Sequence, residues 1–322
     1  MVCLPPGHSF MFPLFRALTL LFATASPGAA QHGLIYFSVP RSELEGQVHA
    51  VPQTDAARFT HLQESFITLG CRGGHMEEQI VHGRHQAKGK NLICTLPGTT
   101  PDTIVIAAHY QLEGHGQSVV DDWSGAMLLP FLFEALQAQQ RDHTFVFVEA
   151  WNSQGASAWM HSRTKQQQRS IQSMIDLNAL GLGDTSYFSP SFISPSPQLA
   201  TLHLQEVLGL AAEVDGTQKK LPQPVDPTLW LRTDDTESFR SVSIPAILIH
   251  SVSINQYRLP GSSQDIPSAI DPNAYYRSYR LLCAFLIELD NFASHLDETE
   301  SNWLRSARNG SPVHPSASMS PH

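Results

Sequence analysis

The apolar residues of this chain fall into short solid runs, separated by stretches with helical spacing. "TIVIAAHY", from Thr103, is almost wholly apolar and rich in β-branched residues, as a strand covered on both faces would be. "HTFVFVEA", "IQSMIDLNALGLG" and "IPAILIHS" repeat that pattern further along. Between them, "SGAMLLPFLFEALQAQ" places Met127, Leu128, Phe131, Leu132 and Leu136 along one side of a helix that starts near Ser124. "LATLHLQEVLGLA" and "AYYRSYRLLCAFLIELDNF" read as two more helices. Earlier, Leu62, Phe66 and Leu69 fall at helical spacing, and Gly70 is a stop. "MEEQIVHGRHQAKGKNLICTLPG" reads as two strands around a polar turn.

Strands alternate with helices through most of residues 90–292. That order predicts an α/β fold of three layers, a mostly parallel central sheet with helices on both faces. In such folds a ligand site lies beyond the carboxyl ends of the strands. The expected organisation is a single domain over residues 31–294, with a helical and strand lead-in over 41–85. The Ser/Pro-rich tail, 295–322, is expected to be disordered.

Residues 1–30 read as a secretory signal peptide. Arg16 precedes the apolar run Ala17–Ala23, and small residues lead to a cleavage point near Ala30–Gln31. Met11 is an alternative start. The apolar run is too short to span a membrane. The expected location is therefore secreted or periplasmic, with no stable membrane insertion once the leader is removed. Cys3 would leave with the leader. Cys71, Cys94 and Cys283 then remain, and a Cys71–Cys94 bridge and buried free thiols are both open. Net charge is −9, from 29 acidic and 20 basic residues, and no basic block stands out. A nucleic-acid partner is not expected.

The strand ends carry the candidate chemistry. The first ends at His109, and Asp121 and Asp122 follow at the mouth of the next helix. The second runs into Trp151, Asn152, Ser153 and Gln154, after a lone acid, Glu149. The third holds Asp176 and Asn178, and Asp234, Asp235 and Glu237 come later. A His at one strand end with an Asp at the next helix is half of a zinc site. A two-zinc hydrolase also needs a bridging carboxylate, further ligands for each metal, and a general base beside the bound water.

From about Arg41 to Phe292 the chain resembles the secreted double-zinc aminopeptidases, the co-catalytic zinc exopeptidases. The resemblance is carried by "GKNLICTLPG", "IVIAAHY", "VVDDWSGAMLLP", "HTFVFV", "MIDLNALGLG", "TDDTESFRSVSIPAILIHS" and "AYYRSYRLLCAFLIELD". It implies that His109 stands at the first ligand position of an "AHYD"-like motif, with Gln111 where an Asp normally orients that His. Asp121 stands at the bridging position. The adjacent Glu pair, first the general base and then a ligand, falls on Asn152 and Ser153. The "NLD" ligand falls on Asn178. The last His falls on Gly261 if Asp265 is the anchor, or on Arg258 in a looser register. Asp235 matches the acid of an "SDxxPF"-like segment, as a pocket residue or a turn cap.

The sequence thus predicts the fold of a zinc aminopeptidase with a degenerate metal site, catalytically impaired or inactive. No catalytic residue is assigned, because Asn152 occupies the general-base position. His109 and Asp121 are the residual metal positions, and no bound cofactor is expected. Gln111, Trp151, Asn152, Ser153, Asn178 and Asp235 form the expected binding cleft. Its amides suit a peptide or an amide-bearing small molecule. The alternative is an active metal-dependent aminopeptidase with a rearranged zinc site, using His109, Asp121 and, with them, His115, Asp122 or Glu149. The helix after Asp121 is also a place for a ligand carboxylate to dock.

Overall fold

A computed structural model describes residues 39–82, 88–188, 198–225 and 235–295. The expected leader, nearly all of the Ser/Pro-rich tail and Asp234 lie outside the described residues. In chain order the elements are α1 (Arg41–His49), α2 (Asp55–Thr68), β1 (Met76–His82), β2 (Lys88–Leu96), β3 (Thr103–His109), α3 (Ser124–Ala126), α4 (Leu129–Gln137) and β4 (Thr144–Ala150). They continue as α5 (Gly155–Ser162), α6 (Lys165–Ser170), β5 (Ile171–Leu177), β6 (Ser186–Phe188), α7 (Gln198–Asp215), β7 (Pro224–Val225), α8 (Thr236–Arg240), β8 (Ala246–His250) and α9 (Pro272–His295).

The eight strands form one mixed sheet in the order β1-β2-β4-β3-β5-β8-β6-β7. Its centre, β4-β3-β5-β8, is parallel, as is the pair β6/β7. The pairs β1/β2, β2/β4 and β6/β8 are antiparallel. Helices cover both faces, in agreement with the three-layer α/β expectation.

Successive side chains of a strand point to opposite faces, and the sheet separates two apolar layers accordingly. Ile104, Ile106, Phe145, Phe147, Ile175 and Ile247 pack in one layer with Phe66 of α2, Phe133 of α4 and Phe285 of α9. Val105, Ala107, Val146, Val148, Met174 and Ala246 pack in the other with Trp159 and Met160 of α5 and Phe239 of α8. This parity decides which side chains can meet at the strand ends.

The helix expected from Ser124 is not continuous. Residues 119–123 form a wide irregular turn, α3 is one short turn, and α4 begins afresh at Leu129. Pro130 lies in the first turn of α4, where a missing N–H costs nothing. The short elements α5, α6, α8, β6 and β7 were not anticipated, because runs this brief carry little periodicity. Cys71 and Cys94 form a disulfide that ties the chain beyond α2 to β2, and Cys283 is a buried free thiol. No helix among the described residues is long and apolar enough to cross a membrane.

Candidate functional site

The carboxyl ends of β3, β4 and β5 meet at one edge of the sheet. His109 closes β3 and is buried. Asp176 of β5 pairs with Ala107, two residues before His109, so both side chains project from the same face. Asp235 lies just before α8 and makes no capping bond to that helix. Its Oδ2 is instead 2.8 Å from His109 Nε2. On the other ring nitrogen, Nδ1, Asp122 Oδ1 stands at 3.6 Å.

One donor atom each from His109, Asp176 and Asp235 lies within 4.8 Å of the other two, and all three residues are buried. Burial alone would lower the His109 pKa. Asp235, Asp122 and Asp176 outweigh it and hold the imidazole well above its ordinary value. In the absence of a metal, His109 is therefore a buried imidazolium.

A small cavity opens beside this group, lined by His109, Glu113, Asp121, Asp122, Asn152, Ser153 and Asn178. Its volume of about 30 Å³ holds little more than a water-sized group. Six residues singled out from the sequence thus come together: His109, Asp121, Asp122, Asn152, Ser153 and Asn178. Asn152 shapes the turn into α5, where its Oδ1 accepts from Gln154 N at 3.0 Å. The Asn178 side-chain oxygen is buried with no hydrogen-bond partner among the described residues.

The remaining candidates lie elsewhere. Trp151 is not in the cavity wall. Its indole covers Gly89, where a Cβ would fall 1.9 Å from the ring, and its Nε1 donates to Asp55 Oδ2 at 2.8 Å. Gln111 also stands outside the cavity, its carbonyl accepting from Arg58 at 3.2 Å. His115 is exposed, and its backbone N–H donates to Gly261 O at 3.0 Å. Arg258 is exposed and donates to Tyr257 Oη.

Glu149 faces away from the site. It pairs with Ala108 on one side and Leu92 on the other, which turns it into the layer opposite His109. Both of its oxygens are buried without a hydrogen-bond partner among the described residues. Burial pushes its pKa well above the usual carboxylate range, so it is a neutral acid. A role as the general base beside His109 is excluded by that geometry.

The backbone donors around Asp121 are already used. Asp265 Oδ1 accepts from Val119 N and Val120 N at 2.7 Å, and its Oδ2 from Asp121 N at 3.3 Å and Gly261 N at 2.8 Å. The expected docking of a ligand carboxylate there is corrected accordingly, because an internal carboxylate takes that place. The loop 110–118 is tied from α2 as well. The buried Arg58 donates to the carbonyls of Tyr110, Gln111, Gln117 and Ser118, and Asp55 accepts from Leu112 N at 2.8 Å.

Zinc takes imidazole nitrogen, thiolate or carboxylate donors. Of the five positions that the aminopeptidase resemblance assigns to ligands, His109 and Asp121 carry such donors, whereas Ser153, Asn178 and Gly261 do not. The two-zinc set does not fit these residues. The sequence reading puts Asp122 beside His109 only in the alternative metal site, and it assigns Asp176 no role there. The available signal is the two-residue spacing of Asp176 and Asn178, which sets both on one face of the strand.

A model of peptidase family M28 matches residues 91–286. Among solved structures the chain is similar to the glutaminyl cyclase of Fimbriiglobus ruber, with a TM-score of 0.65 and 14% identity over 79% of this chain and 97% of that one. It is similar to the glutaminyl cyclase of Macrostomum lignano, with a TM-score of 0.60 and 18% identity over 77% and 88%. The zinc aminopeptidase of Bacillus subtilis gives a TM-score of 0.55 and 14% identity over 64% of this chain and 51% of that one. The chain thus spans about half the length of that aminopeptidase. At these identities the likeness is one of fold. No curated relative matches the chain.

Proposed function

The chain belongs to peptidase family M28, and on that premise we propose that it has kept the family's fold while losing two-zinc peptide hydrolysis. The observation that carries this reading is the cavity itself. Asn152, Ser153 and Asn178 line it, and these are the residues that the aminopeptidase resemblance sets at the general base and two ligands. Neutral amides and a hydroxyl neither offset the charge of two dications nor take a proton from a bound water. Loss of a general base alone typically removes about 10²–10⁴-fold in rate. Glu149, the one acid in "FVFVEAWNSQG", offers no replacement, since it points into the other layer.

The partner in this reading is a peptide or an amide-bearing small molecule. With room for about one water-sized group, the cavity would take a single polar group of that partner, met by the Asn152 and Asn178 amides and the Ser153 hydroxyl. The body of the partner would lie at the mouth. The leader-like N-terminus and the Cys71–Cys94 bridge support export to an oxidising compartment, secreted or periplasmic.

The test is turnover by the mature, zinc-equilibrated chain, assayed on aminoacyl chromogenic substrates and on a peptide with N-terminal glutamine. The second substrate is included because of the cyclase-like fold. No chelator-sensitive turnover is expected on either. Turnover that a chelator abolishes and zinc restores overturns the reading.

A further inference from the structure

The sequence around β5 reads Asp176–Leu177–Asn178, the reverse of the "NLD" order that the aminopeptidase resemblance brings to this segment. The carboxylate has not simply disappeared. It stands two residues earlier, one step back on the same face of the strand. There it meets a second acid, Asp235, and the imidazole of His109.

We infer that the chain holds one divalent metal ion of the zinc class on His109, Asp176 and Asp235, at a site set back from the two-zinc position. The inference rests on the reading that the two-zinc centre is lost, and it adds a ligand set that the resemblance does not assign. Three observations carry it. The three donor atoms lie within 4.8 Å of one another, and the residues are only 6%, 1% and 2% exposed. One imidazole nitrogen and two carboxylate oxygens make a three-ligand zinc set, with a fourth place for water. Of the three residues, His109 lines the neighbouring cavity, which at about 30 Å³ is large enough for a water.

Charge points the same way. Three buried carboxylates, those of Asp122, Asp176 and Asp235, stand around a single imidazole. A proton on His109 offsets one of them, whereas a dication offsets two. The ring is also oriented as a metal-bound imidazole needs. Nε2 faces Asp235, and Nδ1 faces the Asp122 carboxylate at 3.6 Å. A ligating His normally donates its other N–H to such a group. Gln111 stands where the resemblance expects the orienting Asp, and Asp122 takes over that place from the next loop.

The experiment equilibrates the mature chain with zinc, desalts it, and counts zinc per chain in wild type, Asp176→Asn, Asp235→Asn and Asp121→Asn. One zinc is expected in wild type. Asp176→Asn and Asp235→Asn should each weaken binding by about 100-fold or more, since losing a ligand exceeds the ~10–100-fold of an outer-shell loss. Asp121→Asn should retain the ion. Zinc at a hundredfold excess over Kd should raise the unfolding temperature of wild type by roughly 5 °C, and leave that of Asp176→Asn unmoved.

If the Asp variants fail to fold, cobalt-substituted wild type decides, with the d–d bands of a four-coordinate N/O site expected. Absence of stoichiometric zinc in wild type overturns the site, as does equal loss from Asp121→Asn and Asp176→Asn. Turnover of aminoacyl substrates overturns the functional reading without touching the site.

Discussion

His109 Nε2 and Asp235 Oδ2 stand 2.8 Å apart, although 126 residues separate them in sequence and both are buried. The pair joins the end of β3 to the entry of α8. Removing one partner of a buried pair typically costs about 3–5 kcal/mol. In metal-free protein, Asp235→Asn should lose that order of stability at pH 6. The pH dependence has a definite sign. The folded pKa of His109 is raised, so its contribution is fully present below the unfolded value of about 6.5 and is lost as pH rises through the folded value. Urea unfolding at pH 6 and pH 9.5 checks this. An equal loss at both values contradicts it.

Glu149 should behave in the opposite sense to an ordinary carboxylate. Its folded pKa is raised by burial, so the folded state carries a proton that the unfolded chain gives up above about pH 4.3. Stability attributable to this group therefore falls as pH climbs from that value. Glu149→Gln removes the titration and should stabilise the protein at pH 7, by up to about 4 kcal/mol, and much less at pH 4. A variant destabilised more at pH 7 than at pH 4 would show that Glu149 is ionised and paired.

Which parts of this arrangement could be read from residues alone follows from what each residue's neighbours in sequence say. His109 ends a solid apolar run, and Asp121 begins the next polar turn, so both stand out. Asp176 and Asn178 stand two residues apart in one strand, which by itself says nothing of their distance from His109. The pairing of β5 with β3, which sets Asp176 opposite Ala107, brings it within reach of His109. Spacing along one strand does not encode that register. Asp235 reads as cap or pocket residue because a short acidic turn serves either purpose; in the fold it makes no cap bond to α8 and its Oδ2 stands 2.8 Å from His109 Nε2. Trp151 follows a strand directly, and only the packing of Gly89 beneath its ring decides which way it turns.

Arg58 should be among the costliest single residues to lose outside the apolar layers. It holds four carbonyls of segment 110–118, which brings Glu113 to the cavity. Arg58→Ala strands those acceptors and should destabilise the protein by about 3 kcal/mol or more. Amide exchange in residues 110–118 should accelerate beyond the global change. Uniform acceleration across the sheet would mean that Arg58 acts only on overall stability.

The Cys71–Cys94 bridge closes a segment with a sequence separation of 23. Loop-closure entropy for that length corresponds to about 3 kcal/mol. Unfolding in urea with and without reductant should differ by that order, and the Cys71→Ser/Cys94→Ser double variant should match the reduced protein. Identical midpoints would show that the bridge does not form.

The most direct measurement is the number of zinc ions that the folded wild-type chain retains, read by native mass spectrometry after saturation with zinc. With Ser153, Asn178 and Gly261 in place of ligands, the chain is expected to retain no more than one ion. Two tightly retained zinc ions per chain would contradict the loss of the two-zinc centre.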